Sequence, residues 1–192
     1  MAIVIVTPPT DLPVTLAEAK MQLRVDTTDH DAMISGQIAA ATAMLESWLG
    51  RALAEQTLEL VLDCFPADEV ILPRGPVQSV ESVIYIDVDE VEQTIDPEDY
   101  RVDLSNDQYG RVYPVDAWPV AFDATGTVRF RYVTGYPLAD EDVATTPWPI
   151  KVAIMMLTAH WYANAEAVSA GSMLPIPLGV QDLVAPYRVV SV

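Results

Sequence analysis

A chain of 192 residues is long enough to bury a core without metals or crosslinks, and 51% hydrophobic content excludes the composition of disordered chains. With 28 acidic residues against 10 basic ones the net charge is −18 at pH 7; this argues against a grip on nucleic acid or on an anionic membrane, both of which need clustered Lys and Arg. Cys64 is the single cysteine, so a disulfide framework is excluded and a reducing compartment is expected.

The opening Met1-Ala-Ile-Val-Ile-Val6 is apolar but has no basic leader and stops at Thr7-Pro8-Pro9. No signal peptide is expected from it, and no run approaches the ~20 apolar residues of a membrane span. Thr15-Leu-Ala-Glu18 has the spacing of a capping box, which predicts a short helix to about Val25. A second helix follows Asp26-Thr-Thr-Asp29, with Ile34, Ile38, Ala41, Leu45 and Trp48 on one stripe and Gly50 as its C-cap.

From about Gln56 the period changes to two. Residues 57–62, 82–86, 100–104, 111–113 and 127–133 read as strands separated by Pro, Gly, Asn and Asp turns, and an antiparallel meander is expected. In the last of these, Val128, Phe130 and Tyr132 share one face while Arg129 and Arg131 share the other, predicting one buried side. The acidic stretch from Asp87 to Asp99 lacks the glycine and terminal glutamate of a calcium loop and reads as a solvated hairpin turn.

After an acidic, proline-punctuated link over residues 137–149, Ile150, Ile154, Leu157 and Trp161 repeat at helical spacing. Val152, Ala153, Met155 and Met156 make this helix apolar nearly all round, so burial by the chain's own helices or by neighbouring subunits is expected. Residues 165–177 form a small-residue and proline loop, residues 179–185 a last helical turn or two, and residues 186–192 an extended, β-prone tail.

No catalytic constellation emerges. His30 sits in a solvated helix start, His160 on the apolar helix suits packing or an interface, and Cys64 is expected to be buried and inert at a strand end. No phosphate loop, CxxC pair or HExxH motif is present, so no catalytic residue, metal site or cofactor is assigned. Arg129 and Arg131 are expected to pair with acids across strands or subunits; with Trp148, Met155 and Trp161 they are the subunit-interface candidates.

Several short motifs occur in a distinctive order: Pro13-Val-Thr-Leu-Ala-Glu-Ala-Lys20, Leu23-Arg-Val-Asp26, Gly50-Arg-Ala-Leu53, Leu72-Pro-Arg74, Pro76-Val-Gln-Ser-Val80, Gly110-Arg-Val-Tyr-Pro114, Trp118-Pro119, Pro149-Ile-Lys151, Ala159-His-Trp-Tyr162, Glu166-Ala-Val168 and Pro186-Tyr-Arg188. In this order they resemble the head-tail connector (adaptor) family of long-tailed bacteriophages and phage-derived gene-transfer particles. The resemblance implies an α+β fold: a helical core with an antiparallel β domain inserted between its second and third helices. The implied organisation is a helical part over residues 1–53, the β region over 54–136, and a closing helix and tail over 137–192.

It also implies a structural subunit, not an enzyme, forming a homo-oligomeric, twelvefold ring below the portal protein. Such a ring extends the DNA channel and gives a platform to a stopper or tail terminator protein, at the head-tail junction of a virion assembled in the host cytoplasm. DNA would pass without specific binding, and no membrane is involved. By the same resemblance, Pro186, Tyr187, Arg188, Val189 and Val190 are the portal-docking tail. Another virion component, a tail terminator or minor capsid protein, is the nearest alternative; a soluble acidic binding domain or small hydrolase follows. An enzyme would need a polar pocket with converging titratable groups.

Overall fold

The computed structural model describes residues 1–139, 143–164 and 178–189. The chain forms two compact units, one of residues 1–10 with 55–136 and the other of residues 11–54 with 137–192. The fold is α+β, as the sequence implies.

The first unit is a β structure. Its larger sheet contains β1 (Ala2–Thr7), β2 (Gln56–Leu62), β4 (Val77–Ile86), β5 (Glu92–Thr94) and β8 (Val128–Thr134), in the order β1-β2-β8-β4-β5. A smaller sheet has the order β3-β7-β6, from β3 (Val70–Leu72), β6 (Tyr100–Asp103) and β7 (Gly110–Pro114). All pairings are antiparallel, but the expected meander is not formed. β4-β5 and β6-β7 are hairpin neighbours, and β1 pairs with the next strand β2 across the two helices between them; β8 instead lies between β2 and β4.

Alternation selects the buried face. Val128, Phe130 and Tyr132 of β8 are buried with Leu58 and Leu60 of β2, Val83 of β4, Leu72 of β3 and Val112 of β7, so both sheets share one apolar core. Tyr132 keeps its hydroxyl satisfied there by donating to the Pro73 carbonyl at 3.0 Å, and burial pushes its pKa upward. Gly75 lies so close to the Gln108 backbone that an added Cβ would stand 2.6–2.7 Å from its carbonyl, which leaves room only for glycine.

Two further expectations are corrected in this unit. The first ten residues belong to it and not to the helical part, because β1 pairs with β2 in register from Ala2↔Val61 to Thr7↔Thr57. Cys64 is exposed and not buried: the chain bends away after β2, and the neighbouring Phe65 takes the apolar position, stacking on Trp118 at 4.8 Å. Cys64 is therefore expected to react with a maleimide in the native protein at the rate of an accessible thiol; labelling only after unfolding would contradict this placement.

The second unit is helical: α1 (Leu16–Leu23), α2 (Asp31–Leu49), α3 (Trp148–Ala163) and α4 (Leu178–Val184), with a two-residue ladder between β9 (Leu138–Ala139) and β10 (Val143–Ala144). The capping box is formed, with Thr15 Oγ1 accepting from Glu18 N at 3.2 Å and Thr15 N donating to Glu18 Oε2 at 2.8 Å. α1 ends short of Val25 because Arg24 turns left-handed, at φ 57°. α2 ends at Gly50, φ 70°, as expected, but Leu49 is the buried residue of its last turn and Trp48 stays half-buried.

α3 packs against α1, α2 and α4, which bury Ile150, Ala153, Ile154 and Leu157. Its remaining apolar face, including Val152, Met155, Met156 and Trp161, is half-buried. Lys151 is 5% exposed on this helix and pairs with Glu18 at 2.9 Å. Lys20 pairs with Asp31 at 2.5 Å, so both lysines of the chain serve the helical unit. The expected loop at residues 165–177 lies outside the described residues.

Candidate functional site

The segment assigned to docking is only partly what the sequence suggests. Ala185–Tyr187 form a 3-10 turn directly after α4, so Pro186 and Tyr187 are not in an extended strand. The proline supports this, since its fixed φ and missing N–H fit the first turn of a helix. Arg188 then returns to extended geometry and Val189 donates its backbone N–H to the Leu49 carbonyl at 2.8 Å. The Arg188 guanidinium lies 5.4 Å from the centre of the Trp48 ring. Val189 also approaches Gly50, where a Cβ would stand 3.5 Å from the Val189 Cβ. Val190 lies outside the described residues.

Trp148, at the start of α3, is 63% exposed, and the Lys151 ammonium lies 5.7 Å from its ring centre. Pro147 and Pro149 flank it and hold its backbone at the helix entry. Met155 and Trp161 are half-buried on the same helix. Arg129 and Arg131 lie in the other unit, on the outward face of β8, and each has a carboxylate within the chain. Arg131 bonds Glu59, its direct cross-strand partner, at 2.9 and 3.3 Å, and Arg129 pairs with Glu92. Their expected pairing with acids is thus met across strands.

The strand β1 escaped the reading of the sequence as a surface feature. It is an edge of the larger sheet, carries no charge, and exposes Val4, Ile5 and Val6 by 40–53%. Edges of this kind are usually blocked by charge or proline. The run of β-branched residues before Thr7-Pro8-Pro9 was the available signal.

Convergent chemistry is sparse. An open cleft of about 380 Å³ in the β unit is lined by Asp96, Asp99 and Asp116 with Tyr85 and Trp118, and its lining contains no Ser, Cys, His or Lys. The acidic hairpin is held by its own side chain: Asp87 accepts from the backbone of Asp89 and Val91 at 2.9 and 3.0 Å and from Gln93 at 2.8 Å. The Val91 bond foremost holds the Asp87 carboxyl below the usual range. Among the described residues no three metal-ligating side chains cluster, and no helix is long and apolar enough to cross a membrane. His30 is exposed beside Tyr162, at 5.6 Å between ring centres.

Comparison with known proteins gives a consistent picture. Residues 14–172 match the family model described as head completion protein. The fold is similar to a chain in the neck of an empty gene transfer agent particle computed with sixfold symmetry, at 25% identity and a TM-score of 0.79, covering 100% of this chain and 97% of that one. Similar too are a chain of the native gene transfer agent virion, at 24% identity and TM-score 0.79, and one of the native neck computed with twelvefold symmetry, at 24% and 0.77. Each covers the same 100% and 97% of the two chains. No curated protein matches.

Proposed function

The chain belongs to the head completion protein family, a family of head-tail connectors, and from that membership we propose that it closes a ring of like subunits beneath the portal of a tailed particle. It is a structural neck component of a virion and not an enzyme. The ring is read as twelvefold, extending the DNA channel and presenting a platform for a stopper or tail terminator, with assembly in the host cytoplasm.

The observation that carries this reading is the likeness over the whole chain to neck subunits solved with sixfold and twelvefold symmetry, reinforced by a family match from residue 14 to 172. The chemistry agrees with it. A net charge of −18 suits a wall past which DNA slides, because acids facing a channel repel phosphate within a Debye length, ~8 Å at physiological salt. Both lysines are committed to carboxylates inside the fold and so offer phosphate little. Intersubunit contact is assigned to the exposed Trp148 and the half-buried Met155 and Trp161, since aromatic and Met anchors supply most interface energy. Arg129 and Arg131 keep their carboxylates within the chain.

Electron microscopy of the purified protein mixed with its portal tests the proposal. Twelvefold density of this chain on the tail-facing side of the portal is expected. Binding to tail tubes in place of the portal would favour a tail terminator and overturn the adaptor reading.

A further inference from the structure

Two contacts join the tail to the end of α2, and both use groups that docking would need. The Val189 N–H is a main-chain donor of the kind through which an extended segment binds a partner, yet it is given to the Leu49 carbonyl at 2.8 Å. The Arg188 side chain is the tail's one cation, yet its guanidinium lies over Trp48. Pro186 is exposed and Tyr187 half-buried in the 3-10 turn that delivers Arg188 to this place.

We propose that Trp48, Leu49 and Gly50 form a retaining site that holds the tail against its own subunit, so that docking on the portal exchanges these contacts for new ones. The inference rests on the reading of residues 186–190 as the portal-docking tail. Leu49 is fully buried and Gly50 closes the helix, so the acceptor carbonyl is fixed and only the tail moves. A binding-competent state that is only fractionally populated lowers the apparent affinity by that fraction. One backbone hydrogen bond and one partly exposed cation–π contact are worth little each, so the retained state is favoured by about three- to tenfold. A bias of that size keeps the tail off chance partners while leaving it available to a strong one.

The test has two arms. Trp48→Leu removes the aromatic face while keeping an apolar side chain and the Val189 hydrogen bond; it should speed hydrogen exchange at the Val189 amide and raise affinity for the portal about two- to fourfold. The second arm is Gly50→Cys with Val189→Cys in a Cys64→Ser background, because the 3.5 Å separation of the two Cβ positions lies in the range a disulfide spans. Oxidation should lock the tail and reduce portal binding by more than tenfold, and a reductant should restore it. Comparing one molecule in two redox states removes any cost of the cysteine at Gly50 from the result. Equal binding by the oxidised and reduced forms, or weaker binding by Trp48→Leu at an unchanged melting temperature, would overturn the retaining site. Deleting residues 186–192 separates the two ideas: full portal binding by that truncation would sink the tail reading itself.

Discussion

Replacing Phe130 with alanine is expected to destabilise the β unit by about 3–5 kcal/mol, the usual cost of emptying a large aromatic site in a core. Phe130 is fully buried at the centre of β8, which is hydrogen-bonded on both sides, to β2 and to β4. Its ring meets Trp118 edge-on at 5.8 Å and Phe65 edge-on at 6.1 Å, while Phe65 and Trp118 stack at 4.8 Å. These three rings fasten two irregular segments to the sheet, the one after β2 and the one after β7, so alanine removes apolar area and their common support. Phe130→Leu retains most of the volume and should lose markedly less. Urea unfolding followed by tryptophan fluorescence measures both; a loss under about 1 kcal/mol for alanine would show that the site collapses freely and that the ring cluster is not the centre of this core.

Glu18→Ala is the second large effect, at about 2–4 kcal/mol on the helical unit. One carboxylate does two jobs: it completes the capping box with Thr15, and it is the partner of Lys151 at 2.9 Å. Losing a cap costs about 1 kcal/mol. Stranding a buried charge costs ~3–5 kcal/mol, reduced here because Glu18 remains about a third exposed to solvent. Lys151→Met removes the charge instead of stranding it and leaves the Thr15 bonds in place, so it should cost clearly less. If the methionine variant proves the weaker of the two, the pair is not what holds α1 to α3.

The same carboxylate sets a pH dependence. Burial opposes its ionisation, but the Thr15 backbone and side-chain bonds and Lys151 together outweigh burial and hold its pKa below the ordinary 4.5. A carboxyl whose pKa falls on folding adds stability that is complete above its unfolded value and is lost as pH drops through its folded value. The helical unit should therefore weaken below about pH 4.5, and Glu18→Gln should flatten that part of the melting-temperature profile. An unchanged acid limb would assign the loss to other carboxylates.

The helices were the most legible part of the fold, since their signals are local. Thr15 and Glu18 lie three residues apart and satisfy each other's backbone, and Gly50 takes the left-handed conformation that ends α2. The alternation of β8 was equally plain, down to which side its arginines take. Strand order was not: β2 meets β8 across some seventy residues, and closing a long loop costs only slightly more than closing a short one, so proximity in sequence does not decide the partner. The place of β1 is hidden for the same reason, because its partner β2 begins only after two helices.

Of the residues assigned to assembly, the sequence could name types but not states. Trp148 is open to solvent while Trp48 is covered by Arg188, although both are tryptophans at helix ends. Cys64 and Phe65 are adjacent, and the turn after β2 exposes one and buries more of the other. By itself, then, the sequence determined the element types, the caps, the acidic character and, through the order of its motifs, the family, because each of these depends on neighbours within a few residues or on composition. Only the tertiary structure decided the sheet order, the inclusion of the first ten residues in the β unit, the Glu18–Lys151 pair and the seating of the tail on α2. Those depend on which distant surfaces bury the most apolar area while satisfying every buried polar group, a condition met by the whole chain at once and by no segment alone.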